Sequence, residues 1–336
     1  MAARLEFVAW SLSAAAVAAL LAWRFKLAAK RPSTDDEWIA YCHEQRNLRI
    51  ERPSQSNFRV TAVVVFRYRG DDTVRHVVGH NDEACNLNNS CCAERAAFLQ
   101  LAGIFAPRGL EVSKVFITTD APHAVTPGAM CREFMLSSRW AKPTTRVVME
   151  GEERLPSRIS MTLEELMPHA SVFTRLRRNE QCEAGKRLGS VLAERRRELC
   201  GAEGTAWRAA VEASASDDRD ELHPLRFGAC VVFRDGLVAT AWQKKALEYG
   251  CSLDAVCQLA QAIEEHKAAS PPAVVCMADH FGLLHGPFAC ARAYLCEHGY
   301  GDARVLVHDE FGAMHAPAAK ELLPGLPLMG NLSEIE

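Results

Sequence analysis

The chain opens on an uncharged apolar run from Phe7 to Trp23, FVAWSLSAAAVAALLAW, with Arg4 and Glu6 before it and Arg24, Lys26, Lys30 and Arg31 after it. A run of this length lies at the short end of what spans a bilayer. Trp10 and Trp23 stand near its two ends, where amphipathic rings favour the membrane interface. The pattern predicts one N-terminal transmembrane helix within residues 1–31, meeting the membrane through residues 7–23. Because the basic flank follows the run, the main body is expected on the matrix-like or cytoplasm-like side. Two other readings compete. A cleaved mitochondrial presequence draws on the Ala/Arg bias and is opposed by Glu6 and the uncharged core. A secretory signal peptide is opposed by the basic flank. Residues 32–45, with Pro32 and Asp35-Asp36-Glu37, read as a polar stretch leaving the membrane.

From Asn57 onward the pattern becomes strand-like. Val60 to Phe66 is β-branched and apolar, as in a buried strand. Gly70-Asp71-Asp72 reads as a turn and Val74 to Val78 as the returning strand. Ala93 to Leu101 is rich in helix formers, Lys114 to Thr118 is a short strand, and Cys131 to Trp140 is helical. Arg146 to Met149 is a strand, and Thr162 caps a short helix. This order predicts an α/β layer on a mixed sheet. Residues 173–221 are dense in Arg, Glu and Ala. Glu194 and Glu198 flank the triplet Arg195-Arg196-Arg197, so no purely basic block forms. A charged, solvated helical linker is expected there, with a flexible break over Ser214 to Asp220.

After His223 the first pattern returns. Phe227 to Phe233 echoes Phe58 to Phe66, and Asp235-Gly236 supplies the turn. Ser252 to Ile263 and Ala289 to Glu297 read as helices, and Ala273 to Met277 and Arg304 to Val307 as strands. Glu321-Leu322-Leu323-Pro324 matches Glu165-Leu166-Met167-Pro168. The chain therefore reads as an internal repeat of a whole domain, over residues 45–172 and 222–330. The predicted fold class is α/β, with two tandem α/β/α domains on mixed sheets behind the membrane helix. A length of 336 residues suffices for two such cores, and a net charge of −3 implies no polyanionic partner, so no nucleic acid is expected. The 13 cysteines are scattered and lie mostly in apolar runs, as buried thiols do in a reducing compartment.

The chemistry is concentrated in the first half. Cys92-Ala93-Glu94-Arg95 precedes one predicted helix, and Pro127-Gly128-Ala129-Met130-Cys131-Arg132 precedes another. Helix N-termini favour thiolates, so Cys92 and Cys131 can share a metal between two helix starts. Glu94 is placed to carry a proton, and Arg95 and Arg132 can neutralise thiolate charge. Zinc deaminases combine His/Cys-x-Glu with Pro-Cys-x-x-Cys. In this chain Gly128 stands at the third ligand position, and glycine offers no donor.

The resemblance extends beyond the metal motif. Ser56-Asn57-Phe58-Arg59-Val60-Thr61-Ala62 resembles the S-x-F-x-V-G-A of cytidine deaminase, and Asn81-Asp82-Glu83 resembles its N-x-E. Cys92 to Arg95 matches its C-A-E-R, and Glu165 to Pro168 its terminal E-L-L-P. The second half is similar to the C-terminal domain of the two-domain cytidine deaminases of bacteria and plants, which keeps the fold without a metal site; here Pro287 to Arg292 stands where P-C-x-x-C-R would be. The resemblance implies that Phe58 packs on the pyrimidine and that Asn81 and Glu83 hold the ribose. It also implies zinc as the cofactor wherever the site is functional.

Gly128 turns the expectation away from catalysis. Two thiolates are one ligand short of a catalytic zinc site; His123, on the same loop, is a candidate substitute, and Cys91 is expected to point elsewhere. The leading expectation is a catalytically silent, cytidine-deaminase-like accessory subunit of a membrane complex, holding no cofactor. The mitochondrial inner membrane is the first setting to consider. A working cytidine/deoxycytidine deaminase with an altered metal site, using Glu94, is the alternative, and a nucleoside-binding sensor is a third. The sequence leaves open whether two chains form a homodimer.

Overall fold

The computed structural model describes residues 31–49, 51–86, 89–104, 109–152 and 158–326. The predicted span at 7–23 lies outside the described residues. Among the described residues no helix is long and apolar enough to cross a membrane.

Residues 32–45, read as a polar stretch, are in large part a helix with a buried face. They enter helix α1 (Asp35–Leu48), where the Thr34 side chain accepts from the Glu37 amide and the Glu37 carboxylate turns back to the Thr34 amide, closing a capping box. Trp38, Ile39 and Cys42 bury one face together with His43 and Arg46. The acidic triplet that reads as polar linker is the first helical turn, where the helix dipole favours negative charge.

The first sheet has strand order β2-β1-β3-β4-β5, built from β1 (Val60–Tyr68), β2 (Asp71–His80), β3 (Leu110–Thr119), β4 (Arg146–Glu150) and β5 (Ile159–Thr162). Only β3 and β4 run parallel. The unbroken apolar run of β1 follows from burial on both faces. Val63 and Val65, together with Phe116 of the neighbouring strand, pack against Trp38 and Ile39 of α1. Ala62, Val64 and Phe66 face the other way, against α2 (Ala93–Ile104) and α3 (Ala129–Ser137), through Phe98, Leu101 and Met135. Helices thus cover both faces of the sheet.

The second sheet repeats this topology. Its path is β11-β10-β8-β6-β7, formed by β6 (Phe227–Phe233), β7 (Val238–Trp242), β8 (Pro272–Asp279), β10 (Arg304–His308) and β11 (Met314–His315), with β9 (Leu284–His285) added on β8. Again a single pair, β8 and β10, is parallel. The charged segment before it forms α5 (Arg178–Glu198) and α6 (Gly201–Ala213), a short helix α4 (Leu163–Leu166) having closed the first half. These are not solvated linker helices. α6 buries Ala206, Trp207 and Ala210 in the second core and precedes β6 as α1 precedes β1. α5 brings Gly189 so close to Phe281 that a Cβ there would fall 2.5 Å from the Phe281 carbonyl oxygen. The helix expected over Ser252 to Ile263 shrinks to a 3-10 turn, Cys257–Leu259, and α7 (Ala260–His266). The cause is Asp254, whose carboxylate accepts from the amides of Val256 and Cys257, an Asx turn that competes with helix.

The two halves meet through α3 and α8 (Ala289–Glu297), and two buried arginines tie them reciprocally. Arg132 donates to the carbonyls of Pro127 (2.7 Å) and Leu166 (2.8 Å) in its own half and of Pro324 (2.9 Å) in the other. Arg292 donates to Pro287 (2.7 Å) and Leu322 (3.0 Å) in its own half, and to Pro168 (2.6 Å) and His169 (2.9 Å) in the first. The repeat in sequence is therefore also a near-symmetric exchange of contacts.

Candidate metal centre

Cys92 immediately precedes α2, Glu94 lies in its first turn, and Cys131 lies in the first turn of α3. The β-bridge between Asp82 and Cys91 fixes the approach to α2. The result is a convergent group: one ligand atom from each of Cys92, Glu94 and Cys131 lies within 4.8 Å of the other two. Glu94 and Cys131 are buried and Cys92 is partly open to solvent, so access is from the Cys92 side.

The three groups strongly perturb one another. The Cys131 thiol hydrogen-bonds to Cys92 and, against burial and with help from Arg95, draws the Cys92 thiol down to about 6. Cys131, the partner that keeps its proton, is pushed up by that same bond and by burial. Burial, reinforced by the charge on Cys92, lifts the Glu94 carboxyl to about 7.

Gly128 is the N-cap of α3 and makes no side-chain cap, with φ −61° and ψ 158°. That backbone suits any L-residue. A Cβ built on it would meet no atom within 4 Å. Glycine at this position is required neither by the backbone nor by packing, and space for a third side chain remains. His123 is exposed and stands outside the Cys92–Glu94–Cys131 group, as does Cys91.

The residues expected to hold a nucleoside are present, but two are engaged elsewhere. The Asn81 carboxamide donates to the Phe58 carbonyl (2.8 Å) and accepts from the Val60 amide (2.8 Å). Arg49 adds bonds to the Asn81 carbonyl and side-chain oxygen. Glu83 accepts from the amides of Gln55 (3.0 Å) and Ser56 (2.7 Å) and from the Ser56 hydroxyl (2.5 Å). Phe58 is half-buried and joins none of the three apolar clusters. Thr61 is fully buried and bonded through its hydroxyl to His80 Nδ1 (2.8 Å). Of the two arginines, Arg95 lies beside Cys92 and donates to the Ser90 carbonyl (2.8 Å). Arg132 directs its donors to backbone carbonyls and the Thr126 hydroxyl. Arg49 carries no motif signal of its own; it follows from the end of α1, the helix hidden by its acidic first turn.

Two thiols and a carboxylate are donors that zinc accepts, so the residues present can hold a zinc ion, which would supply Lewis acidity and acidify a water molecule. Glu94 has to serve as the third ligand for this to occur. A Glu94 that is a ligand is not free to carry protons, and a Glu94 that carries protons leaves only two ligands. With no side chain at Gly128, the three groups can supply only one of the two functions, whichever way Glu94 is used.

No family model matches the sequence, and no curated protein matches it. Among solved structures, cytidine deaminase from Burkholderia pseudomallei is similar at 23% identity over 40% of this chain and 98% of its own, with a TM-score of 0.33. The enzyme from Mycobacterium leprae gives 23% identity, 37% and 99% coverage and a TM-score of 0.31. That from Bacillus anthracis gives 14% identity, 40% and 96% coverage and a TM-score of 0.32. Likeness at this level says nothing about activity or substrate.

Proposed function

We propose that this chain is a cytidine-deaminase-like protein that does not deaminate and serves as an accessory subunit of a membrane complex. The observation that carries the silent reading is the donor count at Cys92, Glu94 and Cys131, one short of a metal set with an independent proton carrier. The engagement of Asn81 and Glu83 with the backbone of residues 55–60 supports it. The membrane role draws on the sequence alone. The run at 7–23 is the anchor, the basic flank sets the body on the matrix-like or cytoplasm-like side, and the Ala/Arg-rich front end favours the mitochondrial inner membrane. Other subunits of the complex are the partners.

The test is metal analysis and cytidine turnover on the full chain purified in detergent, followed by size analysis of the native extract. The reading expects no stoichiometric zinc, no uridine formation, and migration in an assembly larger than the chain. A second reading, a deaminase with an altered metal site on Cys92 and Cys131 and Glu94 as its proton carrier, is favoured by the convergence of those three side chains. About one zinc per chain with turnover lost in Glu94→Gln establishes that reading and overturns the silent one.

A further inference from the structure

The second half holds a cavity of about 300 Å³, and Ser171 lines it. Ser171 stands in the segment between α4 and α5. Its hydroxyl lies 2.8 Å from His285 Nδ1, and His285 Nε2 lies 3.2 Å from the Asp279 carboxylate. The side chains of His285 and Asp279 are fully buried. Both come from one hairpin, with Asp279 ending β8 and His285 ending β9. Among the described residues the first sheet has no strand matching β9. Thr119 holds the register position of Asp279, opposite Val60 as Asp279 is opposite Phe227. The repeat of the fold therefore does not account for this group.

The bonds fix where the protons lie. Asp279 Oδ1 accepts from the amides of Phe281 (2.9 Å) and Leu283 (3.0 Å), which leaves Oδ2 to accept from His285. A carboxylate only accepts, so Nε2 carries the ring proton and Nδ1 keeps its lone pair. The Ser171 hydroxyl then donates to Nδ1, while its oxygen accepts from the Phe173 amide (3.1 Å). The imidazole is held between the rings of Phe173 and Phe227, at centroid distances of 4.6 and 5.3 Å. A hydroxyl, an imidazole and a buried carboxylate in this order form the relay of a nucleophilic serine, defined by geometry and roles whatever the chain order. The ring is used in the reverse sense, with Nδ1 towards the serine; either nitrogen of a neutral imidazole can be the acceptor.

The lining selects the substrate. Phe173, Leu225, Phe227 and Phe288 give the cavity apolar walls. Lys245, on the same wall, is already paired with the buried Asp217 (3.0 Å), so it is not free for an anion. Two donors have no partner among the described residues: the amide of Val172, next to Ser171, and the side chain of Gln243 on the cavity wall. Both are available to an oxygen on which negative charge develops.

We propose that Ser171, His285 and Asp279 form a catalytic site that hydrolyses uncharged carboxylic esters with a short apolar or aromatic acyl group. Ser171 Oγ attacks the ester carbonyl carbon and its proton passes to His285 Nδ1, while Asp279 offsets the charge on the ring. The bond to the alcohol oxygen breaks, and that oxygen leaves with the proton, giving an acyl-serine. Water then attacks the acyl carbon, its proton goes to His285 and on to Ser171 Oγ, and the acid departs. The proposal goes beyond the silent reading of the Cys92–Cys131 centre and does not depend on it.

The experiment treats the full chain in detergent with a fluorophosphonate, maps the adduct by peptide mass, and follows hydrolysis of p-nitrophenyl butyrate. An adduct at Ser171 is expected. Ser171→Ala is expected to lower ester hydrolysis about a thousandfold or more, with a melting curve on each variant to verify folding. Asp279→Asn presents an N–H to Nε2 and moves the ring proton to Nδ1. It is expected to lower kcat about a thousandfold with KM little changed, a split that loosened packing of the cavity wall does not give. The anionic p-nitrophenyl hemisuccinate is expected to react about tenfold or more slowly than the butyrate, because its charge finds no free partner. The proposal is overturned if the folded chain takes no adduct at Ser171, or if folded Ser171→Ala or Asp279→Asn keeps the full rate. It is also overturned if the hemisuccinate reacts as fast as the butyrate, or if the ester acylates Cys92 and leaves Ser171 free.

Discussion

Gly128→Cys is the most informative change available. The backbone accepts it: φ −61° and ψ 158° are ordinary for an L-residue, and the position of the new Cβ is clear to 4 Å. Gly128 makes no cap bond through a side chain, so the substitution costs at most about 1 kcal/mol, the difference between glycine and a poor N-cap residue. The gain is in metal affinity. Four-ligand zinc sites in small peptides bind with roughly 10–16 kcal/mol, about 3 kcal/mol per ligand, so a third thiolate is expected to tighten zinc binding by about a hundredfold. Competition against a chromophoric chelator reads this directly, with Gly128→Ala as the control for the added carbon.

Combining the change with Glu94→Gln separates the two uses of Glu94. If Glu94 is the third ligand of the native chain, Glu94→Gln weakens native zinc binding and barely affects the Gly128→Cys protein, where the thiolate has taken its place. If Glu94 is not a ligand, both proteins are indifferent to it. The donor-count reasoning is refuted if the native chain already binds one zinc as tightly as Gly128→Cys, or if a folded Gly128→Cys protein gains no affinity.

Other consequences are open to measurement. Cys92 is expected to reach its full reactivity with iodoacetamide at a lower pH than an ordinary cysteine, and Cys131→Ala is expected to move the midpoint of that profile upward by removing the bond that lowers it. Arg292→Met leaves four carbonyl oxygens without their donor and is expected to cost about 3 kcal/mol or more in urea unfolding, at 1–3 kcal/mol per orphaned buried group. His308 accepts from the Leu284 amide through Nδ1 (2.9 Å) and is held down to about 4, chiefly by burial and then by His285. Its folded value lies below its unfolded one, so the unfolded chain binds the extra proton. Stability is therefore full above about pH 6.5 and falls by roughly 3 kcal/mol as the pH drops towards 4. His308→Asn, which keeps an acceptor, is expected to flatten that part of the pH profile of urea melts.

Much of this arrangement was legible because strand and helix periods differ and because the motifs occupy helix starts. The apolar run of β1, the helix after Cys92 and the return of the pattern after His223 all reappear in the fold. What stayed hidden was hidden by local chemistry. The acidic first turn masked α1, although Thr34 and Glu37 have capping-box spacing and Trp38, Ile39 and Cys42 lie on one helical face. The arginines of 173–221 masked the docking of the helices expected there, which depends on few residues, Gly185 and Gly189 in α5 and Trp207 in α6. At the centre, residue types and spacing identified Cys92, Glu94 and Cys131 as a group. They could not show that Asn81 and Glu83 bond to the backbone of residues 55–60, nor that Arg132 ties the two halves, because those bonds depend on chain segments far apart in sequence.

The two halves also show what the loop around Gly128 requires. In the second half, Asp254, Phe288 and Ala291 stand where Cys92, Gly128 and Cys131 do, a set that leaves one carboxylate beside an aromatic ring and a methyl group. Yet that half keeps the same strand path and the same turn before its helix, with Arg292 bonded to the Pro287 and Leu322 carbonyls as Arg132 is to those of Pro127 and Leu166. The geometry of the loop is therefore set by an arginine and the carbonyls around it, with no demand for a metal. In the first half the same arginine scaffold fixes the start of the helix that carries Cys131, and the Asp82–Cys91 bridge fixes the approach to Cys92, with no metal needed for either. A glycine at position 128 is then structurally inexpensive, and the open space beside its Cα is compatible with a loop held by Arg132.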